Sequence, residues 1–468
     1  MKTYQDLSKV GESETERGKF CRDAVKQFME TDEYRKAKAG QAYYDKHNLT
    51  IEAYKKFLYT VSGKKVEDVF SANYKLETNI FRRLCIQQNQ YVLGNGVTLI
   101  GNDKKEVDKE SLGKNFDFQL QKIGKIALAQ GCAFGFWNLD HLEVFGYADT
   151  PKLPGFCPLF DEETGQLRAG IRFWFRNVDN NQIFRATLYE EDGYTDYTQS
   201  NSGPVTILTE KRKYIVNTVS TIAGGIEETW GDDYKGFPIK ICYASDTQSS
   251  ELSEGLRNKI DAIDLIESGL ANTIDDTSGF FWLVKNAGGM DDPDLARFVQ
   301  RIKTLKAVSL DSEDGGGAEP VTYDVPIESR KYILEQLRKD IYEDFGALDI
   351  QTLSAAQKTT QEIQAAYQNQ DNKCADYEYY IIDFVQQILD IAGMDATPTF
   401  TWNKVVNMAE QTNMILSCAQ YLPDEMLIKK LPFLTPEEAE QAINQKDMES
   451  FTQFNDNNIS GNDNKDDE

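Results

Sequence analysis

Histidine is almost missing from this sequence, since only two occur among its 468 residues. These are His47 and His141, and neither has a partner at the spacing that protein metal sites use. The usual histidine-based catalytic triads and zinc sites are therefore disfavoured before any motif is considered. We expect both histidines to be structural or surface residues.

Cysteine pairs are also missing. The seven cysteines are scattered, odd in number, and include no C-x-x-C pair. This usage is typical of reduced, mostly buried thiols and not of a disulfide framework or a zinc site.

Long apolar runs are absent as well. The longest uninterrupted run covers only residues 280–284, whereas a helix that spans a bilayer needs about 20 apolar residues. The opening residues also lack the apolar segment of a signal peptide. The sequence therefore predicts no membrane association.

Common catalytic and nucleotide-binding motifs do not occur. The sequence has no G-x-x-x-x-G-K-[ST], H-E-x-x-H or G-x-S-x-G, so it encodes neither a phosphate-binding loop nor a familiar hydrolase centre. Paired carboxylates are uninformative in a chain with 76 acidic residues. We predict a structural protein without catalytic residues, cofactor or metal. A carboxylate-dependent hydrolase in the β-rich region is the enzymatic alternative.

Basic residues are in deficit, because 51 Lys and Arg stand against 76 Asp and Glu and give a formal net charge of −25. Proteins that grip DNA by neutralising its phosphates carry basic stripes. The acidity therefore excludes tight wrapping of nucleic acid by the whole surface. Weak, sliding contact with DNA remains compatible with it.

The first half of the chain divides into helical and β-rich parts. Apolar residues recur at helical spacing through residues 1–60, including Phe57 and Leu58. A further helix is predicted to end at Gly94 in a left-handed conformation. Residues 112–245 begin with a helix and continue as short aromatic and β-branched runs between turns, which indicates a mostly antiparallel β unit.

The second half is dominated by long amphipathic helices. Apolar residues between Leu252 and Ile274 recur at steps of three and four, which predicts one apolar stripe on a long helix. A compact insert follows, with strands predicted at 280–285, 307–310 and 321–325. A second helix begins after Pro326, and a very long one is predicted from about Ala355 to Ala392.

Eight short segments stand out over roughly residues 35–450. They are AYYD at 42–45, YVLG at 91–94, GCAFG at 131–135, GFPI at 236–239, KIDAI at 259–263, KDIY at 339–342, KTTQEI at 358–363 and LPFLTPEEA at 431–439. In these segments and in their order, the sequence resembles the portal proteins of tailed bacteriophages with long non-contractile tails. Gly96 stands where the family usually has proline.

The resemblance implies an α+β, multi-domain portal fold with wing, stem, clip and crown, assembled as a ring that usually has twelve subunits. The implied parts are N-terminal helices and wing at 1–250, first stem helix at 251–277, clip at 278–326, second stem helix at 327–346, tunnel loop at 347–358, long wing helix at 359–395, crown at 396–453 and a disordered acidic tail at 454–468.

The resemblance also implies a role and partners. Such rings occupy one capsid vertex of the virion, assemble in the bacterial host cytoplasm, and conduct double-stranded DNA during packaging and ejection. The implied partners are further copies of the chain, the terminase large subunit, head-completion or adaptor proteins, and the major capsid and scaffolding proteins. The alternative function is a structural scaffold or head/tail assembly protein without a channel.

Two groups of residues are candidates for facing the channel. Short or polar side chains in the implied tunnel loop can touch a passing backbone without reading bases; they are Gln351, Ser354, Gln357 and Lys358. Acidic side chains on the first stem helix would repel phosphate and so prevent adhesion of the cargo; they are Glu254, Asp261, Asp264 and Asp275. A solvated outer face is the alternative interpretation of these acids.

Overall fold

The structure is a computed structural model of the chain. It describes residues 1–11, 13–59, 64–68, 71–179, 181–201, 203–220, 227–276, 281–285, 317–321, 327–349, 360–403, 415–418, 421–431, 439 and 441–443. The chain forms two compact units, residues 1–402 and residues 403–468.

Four helices open the first unit, and polar side chains cap most of them. They are α1 (Tyr4–Lys9), α2 (Glu14–Met29), α3 (Asp32–Tyr44) and α4 (Leu49–Ala53). Asn48 caps α4, because its Oδ1 accepts hydrogen bonds from the backbone N–H groups of Thr50 and Ile51.

The prediction of helix through Phe57 and Leu58 is wrong. Helix α4 ends at Ala53, and Phe57–Tyr59 forms strand β1, which pairs antiparallel with β2 (Lys65–Glu67). The helical spacing of the apolar residues continued past the point where the backbone turns, so periodicity alone extended the helix too far.

Helix α5 (Ile80–Leu93) leads into a small sheet, and Gly96 makes the turn between them. Gly94 has an ordinary helical φ of −61°, whereas Gly96 has φ +75°. The left-handed stop predicted at Gly94 is therefore two residues later. Strand β3 (Val97–Gly101) follows and pairs with β4 (Glu106–Val107).

Helix α6 (Phe116–Gln130) introduces the β unit, which confirms the predicted alternation from helix to strands. The strands are β5 (Cys132–Asn138), β6 (His141–Gly146), β7 (Gly155–Phe160), β8 (Leu167–Val178), β9 (Asn181–Glu190), β10 (Gly193–Ser200), β11 (Thr206–Arg212), β12 (Ile215–Ser220), β13 (Glu227–Asp232) and β14 (Ile239–Tyr243). Eight of them form one sheet in the order β11-β10-β9-β8-β7-β6-β5-β14, and β12 pairs with β13. Neighbouring strands of the eight-stranded sheet are antiparallel, except for the short parallel contact between β6 and β7.

Helices cover this sheet and create its core. The α2 residues Cys21, Ala24, Val25 and Phe28 are buried in the cluster that contains sheet residues such as Phe173. A second cluster, rich in aromatic residues, includes residues of β5, β6, β7 and β9. The largest cluster joins helices α5 and α6 to the long helices that follow the sheet.

Three long helices complete the first unit: α7 (Glu254–Asp276), α8 (Ile327–Phe345) and α9 (Thr360–Ala392). Between α7 and α8, β15 (Phe281–Lys285) pairs antiparallel with β16 (Gly317–Val321). Strand β16 therefore begins four residues before the predicted strand at 321–325, while the predicted strand at 307–310 lies outside the described residues. After α9, β17 (Ala396–Phe400) pairs with β3.

In the second unit, the structure describes helix α10 (Asp424–Lys429). Across the described part of the chain, no helix has the length and apolarity that a membrane span requires.

Candidate functional site

Helices α7 and α8 pack against each other through the apolar stripe that the sequence predicts for α7. Leu256, Ile260 and Ile263 of α7 are buried in the same cluster as Ile341 and Phe345 of α8. Removing such side chains from water contributes about 1.5–3 kcal/mol each. Apolar burial therefore holds the two helices together where they join the rest of the unit.

Lys373 of α9 ties together the ends of this helix pair. Its Nζ lies 2.6 Å from Oε2 of Glu251, just before α7, and donates a 2.7 Å hydrogen bond to the backbone oxygen of Phe345 at the end of α8. The same ammonium lies 3.5 Å from the centre of the Phe345 ring. A single lysine thus fixes the start of one helix beside the end of the other.

The opposite ends of both helices expose apolar side chains. Ile274 near the end of α7 is 71% exposed, and Ile327 and Tyr332 near the start of α8 are 58% and 68% exposed. No residue between 327 and 340 is buried in the single chain. Among the described residues of this part of α8, Leu334 and Leu337 pack against the large cluster and are only partly buried, so apolar burial is weaker here than at the other end of the pair.

Of the four acidic candidates on α7, the structure leaves Glu254 exposed. Asp261 instead accepts hydrogen bonds from the hydroxyl groups of Tyr43 and Thr50, and Arg257 lies 3.9 Å away. Its side chain is only 16% exposed. Asp261 therefore serves mainly to attach the α3–α4 turn to α7.

Asp264 does not line a surface, and the sequence prediction for it is corrected. It is fully buried, accepts a 2.7 Å hydrogen bond from Nδ2 of Asn48, and accepts a 3.0 Å hydrogen bond from the backbone N–H of Thr78. Burial raises the pKa of Asp264 above its usual value, although these hydrogen bonds oppose the rise. A group enclosed in this way cannot repel phosphate across a channel.

Asp264 is one of three polar residues that hold residues 73–78, the strap, along α7. Oδ1 of Asn272 accepts from the backbone N–H of Tyr74 at 2.6 Å, and Oγ of Ser268 accepts from that of Leu76 at 2.9 Å. The Thr78–Asp264 bond completes the series. Four residues of helix rise about 6 Å, and two residues of near-extended chain span about the same distance. Every second N–H of the strap therefore meets every fourth residue of α7.

The sequence contains one signal for these three hydrogen bonds. Asp264, Ser268 and Asn272 recur every four residues and are all buried. Polar residues at that interval beside an apolar stripe predict a polar partner that runs along the helix. The partner is the backbone of residues 73–78 and not their side chains, so no sequence pattern in that segment indicates it.

The remaining candidates are not placed. Gln351, Ser354, Gln357 and Lys358 lie outside the described residues, as does the side chain of Asp275. Upstream of them, α8 ends in a turn in which Gly346 has φ +72° and the Ala347 N–H bonds to the Tyr342 oxygen at 2.9 Å.

Comparison with known proteins decides the family. The sequence model of the family described as "Phage portal protein, SPP1 Gp6-like" matches residues 25–451. This chain belongs to that family of phage portal proteins.

Two curated relatives of this portal protein are themselves named portal proteins. One, from Clostridium phage phiCD119, is 25% identical over 203 residues, which is 42% of this chain and 45% of the relative. The other, from Bacillus phage SPP1, is 20% identical over 324 residues, which is 66% of this chain and 60% of the relative. The chain therefore spans about half of the length of these relatives.

Two solved structures resemble this portal protein at low similarity. A chain from the neck of an empty GTA particle, computed with C6 symmetry, has a TM-score of 0.39 and 11% identity, with 75% of this chain and 88% of that chain covered. A chain from the neck of a native GTA particle, computed with C12 symmetry, has a TM-score of 0.37 and 10% identity, with 76% and 90% covered.

Family membership bears on the enzymatic alternative. The family and both relatives are named for a portal, which is a structural component, and not for a catalysed reaction. The polar clusters of this portal protein also have structural roles in the described residues: Asp261 and Asp264 attach neighbouring segments to α7.

Proposed function

We propose that this portal protein forms a closed ring of twelve copies at one capsid vertex. Double-stranded DNA would pass through the centre of that ring during packaging and ejection. In this assembly α7 and α8 form the stem, residues 278–326 the clip, residues 1–250 the N-terminal helices and wing, and residues 396–453 the crown.

The observation that carries this proposal is the exposed apolar end of the α7–α8 pair. Ile274, Ile327 and Tyr332 are all largely exposed in one copy. Exposed apolar side chains can mark a protein–protein contact, and a neighbouring subunit would cover them. A head-to-tail contact of this kind closes into a ring when the rotation between neighbours allows it.

The charge of the chain suits a conduit. At −25 per copy, twelve copies carry a formal charge of about −300, and DNA carries one negative charge per about 1.7 Å of its axis. Walls of the same sign do not bind the cargo tightly. We infer that DNA slides through without sequence recognition.

We propose a reduced set of lining residues. Glu254 is exposed and remains a candidate, whereas the hydrogen bonds and burial of Asp261 and Asp264 remove them. Asp275 stays a candidate on the first stem helix. The tunnel-loop candidates are Gln351, Ser354, Gln357 and Lys358.

The same assembly would dock other proteins of the phage. We propose that the ring binds the terminase large subunit during packaging and a head-completion or adaptor protein afterwards. Contacts with major capsid and scaffolding proteins would place it at the vertex while the capsid assembles in the bacterial host.

Electron microscopy of the purified chain tests this function. We expect ring-shaped particles with an open centre, and two-dimensional class averages that show twelve-fold symmetry. Particles without a central opening would support the alternative of a structural scaffold or head/tail assembly protein and would contradict the conduit.

A further inference from the structure

Three side chains of metal-ligand type converge at the α3–α4 turn. His47 lies in the turn, Glu52 lies on α4, and Glu77 lies on the strap. One ligand atom of each is within 4.8 Å of the others, and Nδ1 of His47 is 2.9 Å from Oε1 of Glu52. In sequence, Glu77 is remote from the other two, which is why the spacing of His47 gave no sign of a site.

The backbone of His47 is fixed by the end of α3. Lys46 has φ +70°, and its N–H bonds to the Tyr43 oxygen at 3.2 Å, while the His47 N–H bonds to the Ala42 oxygen at 2.8 Å. These two bonds are the pattern that closes a helix with a left-handed residue. The imidazole is therefore held at a defined place beside α4.

The other two residues are fixed by different means. Glu52 belongs to α4, whose first turn is capped by Asn48, and its N–H bonds to the Asn48 oxygen at 2.9 Å. Glu77 lies between Leu76 and Thr78, whose N–H groups are both bound to α7. Ordered backbones lower the entropy cost of gathering the three side chains around an ion.

We propose that His47, Glu52 and Glu77 bind one divalent first-row transition cation, for which Zn²⁺ is the representative. One imidazole nitrogen and two carboxylate oxygens suit such a cation, whereas Mg²⁺ prefers oxygen ligands alone. Zinc-to-ligand distances of about 2.0–2.2 Å place ligand atoms about 3–4 Å apart. The three ligand atoms lie within 4.8 Å of one another, so a small movement of the side chains brings them to that separation.

Charge and solvent complete the site. The two carboxylates balance the charge of the cation, and the exposure of His47 and Glu52 leaves room for water as further ligands. Two lysines lie nearby: Lys46 precedes His47, and Nζ of Lys75 donates to the backbone oxygen of Glu52. Their positive charge limits the affinity, and the bound cation would connect the strap to the α3–α4 turn.

The chain offers a matched control in its second histidine. His141 also has two carboxylates, with Asp140 2.9 Å from Nδ1 and Glu143 3.7 Å from Nε2. They lie at opposite ring nitrogens, so they cannot join His141 around one ion. The two imidazoles are similarly exposed, at 61% for His47 and 55% for His141.

Chemical footprinting tests the site. The chelator-treated protein is modified with diethylpyrocarbonate, with and without ZnCl₂, and the label on each histidine is measured by mass spectrometry. We expect Zn²⁺ to reduce the label on His47 at least five-fold and leave the label on His141 unchanged. MgCl₂ at the same concentration is expected to protect neither.

Variants separate this site from zinc binding at cysteines or other acids. Glu77→Gln should abolish protection of His47 while the strap keeps its backbone bonds. Titration calorimetry should show at least ten-fold weaker Zn²⁺ binding for His47→Gln than for His141→Gln. Equal protection of both histidines, or equal affinity of the two histidine variants, would overturn the proposal.

Discussion

Asn48 donates a 2.7 Å hydrogen bond from Nδ2 to Oδ2 of Asp264, and both side chains are buried. The same Asn48 side chain caps α4, and its Oδ1 lies 3.0 Å from the hydroxyl oxygen of Tyr43. One amide therefore links the N-terminal helices to α7. The buried Asp264 also accepts a hydrogen bond from the Thr78 N–H, which connects the strap to the same group of side chains.

Asn48→Ala should destabilise the protein by about 2–4 kcal/mol, because it removes a helix cap and leaves buried Asp264 short of a donor. Chemical denaturation followed by circular dichroism measures the change. Glu254→Gln is the control, since Glu254 is exposed, and it should stay within about 0.5 kcal/mol of the parent. Equal stability of the two variants would show that the Asn48–Asp264 link is unimportant.

Asp264→Asn should become more stable relative to the parent as the pH rises. Burial raises the pKa of Asp264 in the folded protein above the ordinary 3.8. The stabilisation it gives is complete below that ordinary value and is lost as the pH rises through the folded pKa. Asparagine does not titrate, so the difference in unfolding free energy should shift towards the variant as the pH rises above 3.8. A difference that is constant with pH would contradict the raised pKa.

Gly96→Ala should destabilise the protein by about 1–3 kcal/mol. Gly96 has φ +75°, and an added Cβ would lie 2.7 Å from Oδ2 of Asp117. That carboxylate also accepts from the Val97 N–H at 3.1 Å and from Lys109 Nζ at 2.8 Å, which limits its movement. Denaturant unfolding should show the opposite sign for Gly269→Ala, which has open space inside α7 and should gain up to about 1 kcal/mol.

Tyr332→Glu should weaken assembly without unfolding the single chain, because Tyr332 is 68% exposed in one copy but would be covered by a neighbour in the ring. Sedimentation velocity should show a shift from large particles to smaller species. Leu208→Glu places the same charge at an exposed apolar position on β11, away from α7 and α8, and should leave assembly intact. If both variants assemble like the parent, the exposed end of the helix pair is not the interface.

Elements that bury an apolar stripe were predictable from the sequence. Helix α7 follows the three-and-four spacing between Leu252 and Ile274, and the stripe residues Leu256, Ile260 and Ile263 are buried as that spacing requires. The strands of the β unit were likewise indicated by aromatic and β-branched runs between turns. For these residues the local pattern and the burial agree, whereas Ile274 at the end of the stripe is exposed in one copy.

Features that depend on distant residues were not predictable. Which of Gly94 and Gly96 adopts positive φ depends on Asp117, whose carboxylate receives the N–H of the next strand. Asp264 appears in sequence as one acid of a solvated face, yet Asn48 and Thr78 enclose it. The site at His47 likewise needs Glu77, which only the path of the strap brings near.

Native mass spectrometry of the purified, unmodified chain measures whether copies assemble into the proposed ring. One copy has a mass of 53.2 kDa, and we expect a closed assembly of twelve copies at about 640 kDa. If the chain remains at 53.2 kDa across protein and salt concentrations, the proposed ring is wrong, because the exposed ends of α7 and α8 then have no neighbouring copy to cover them.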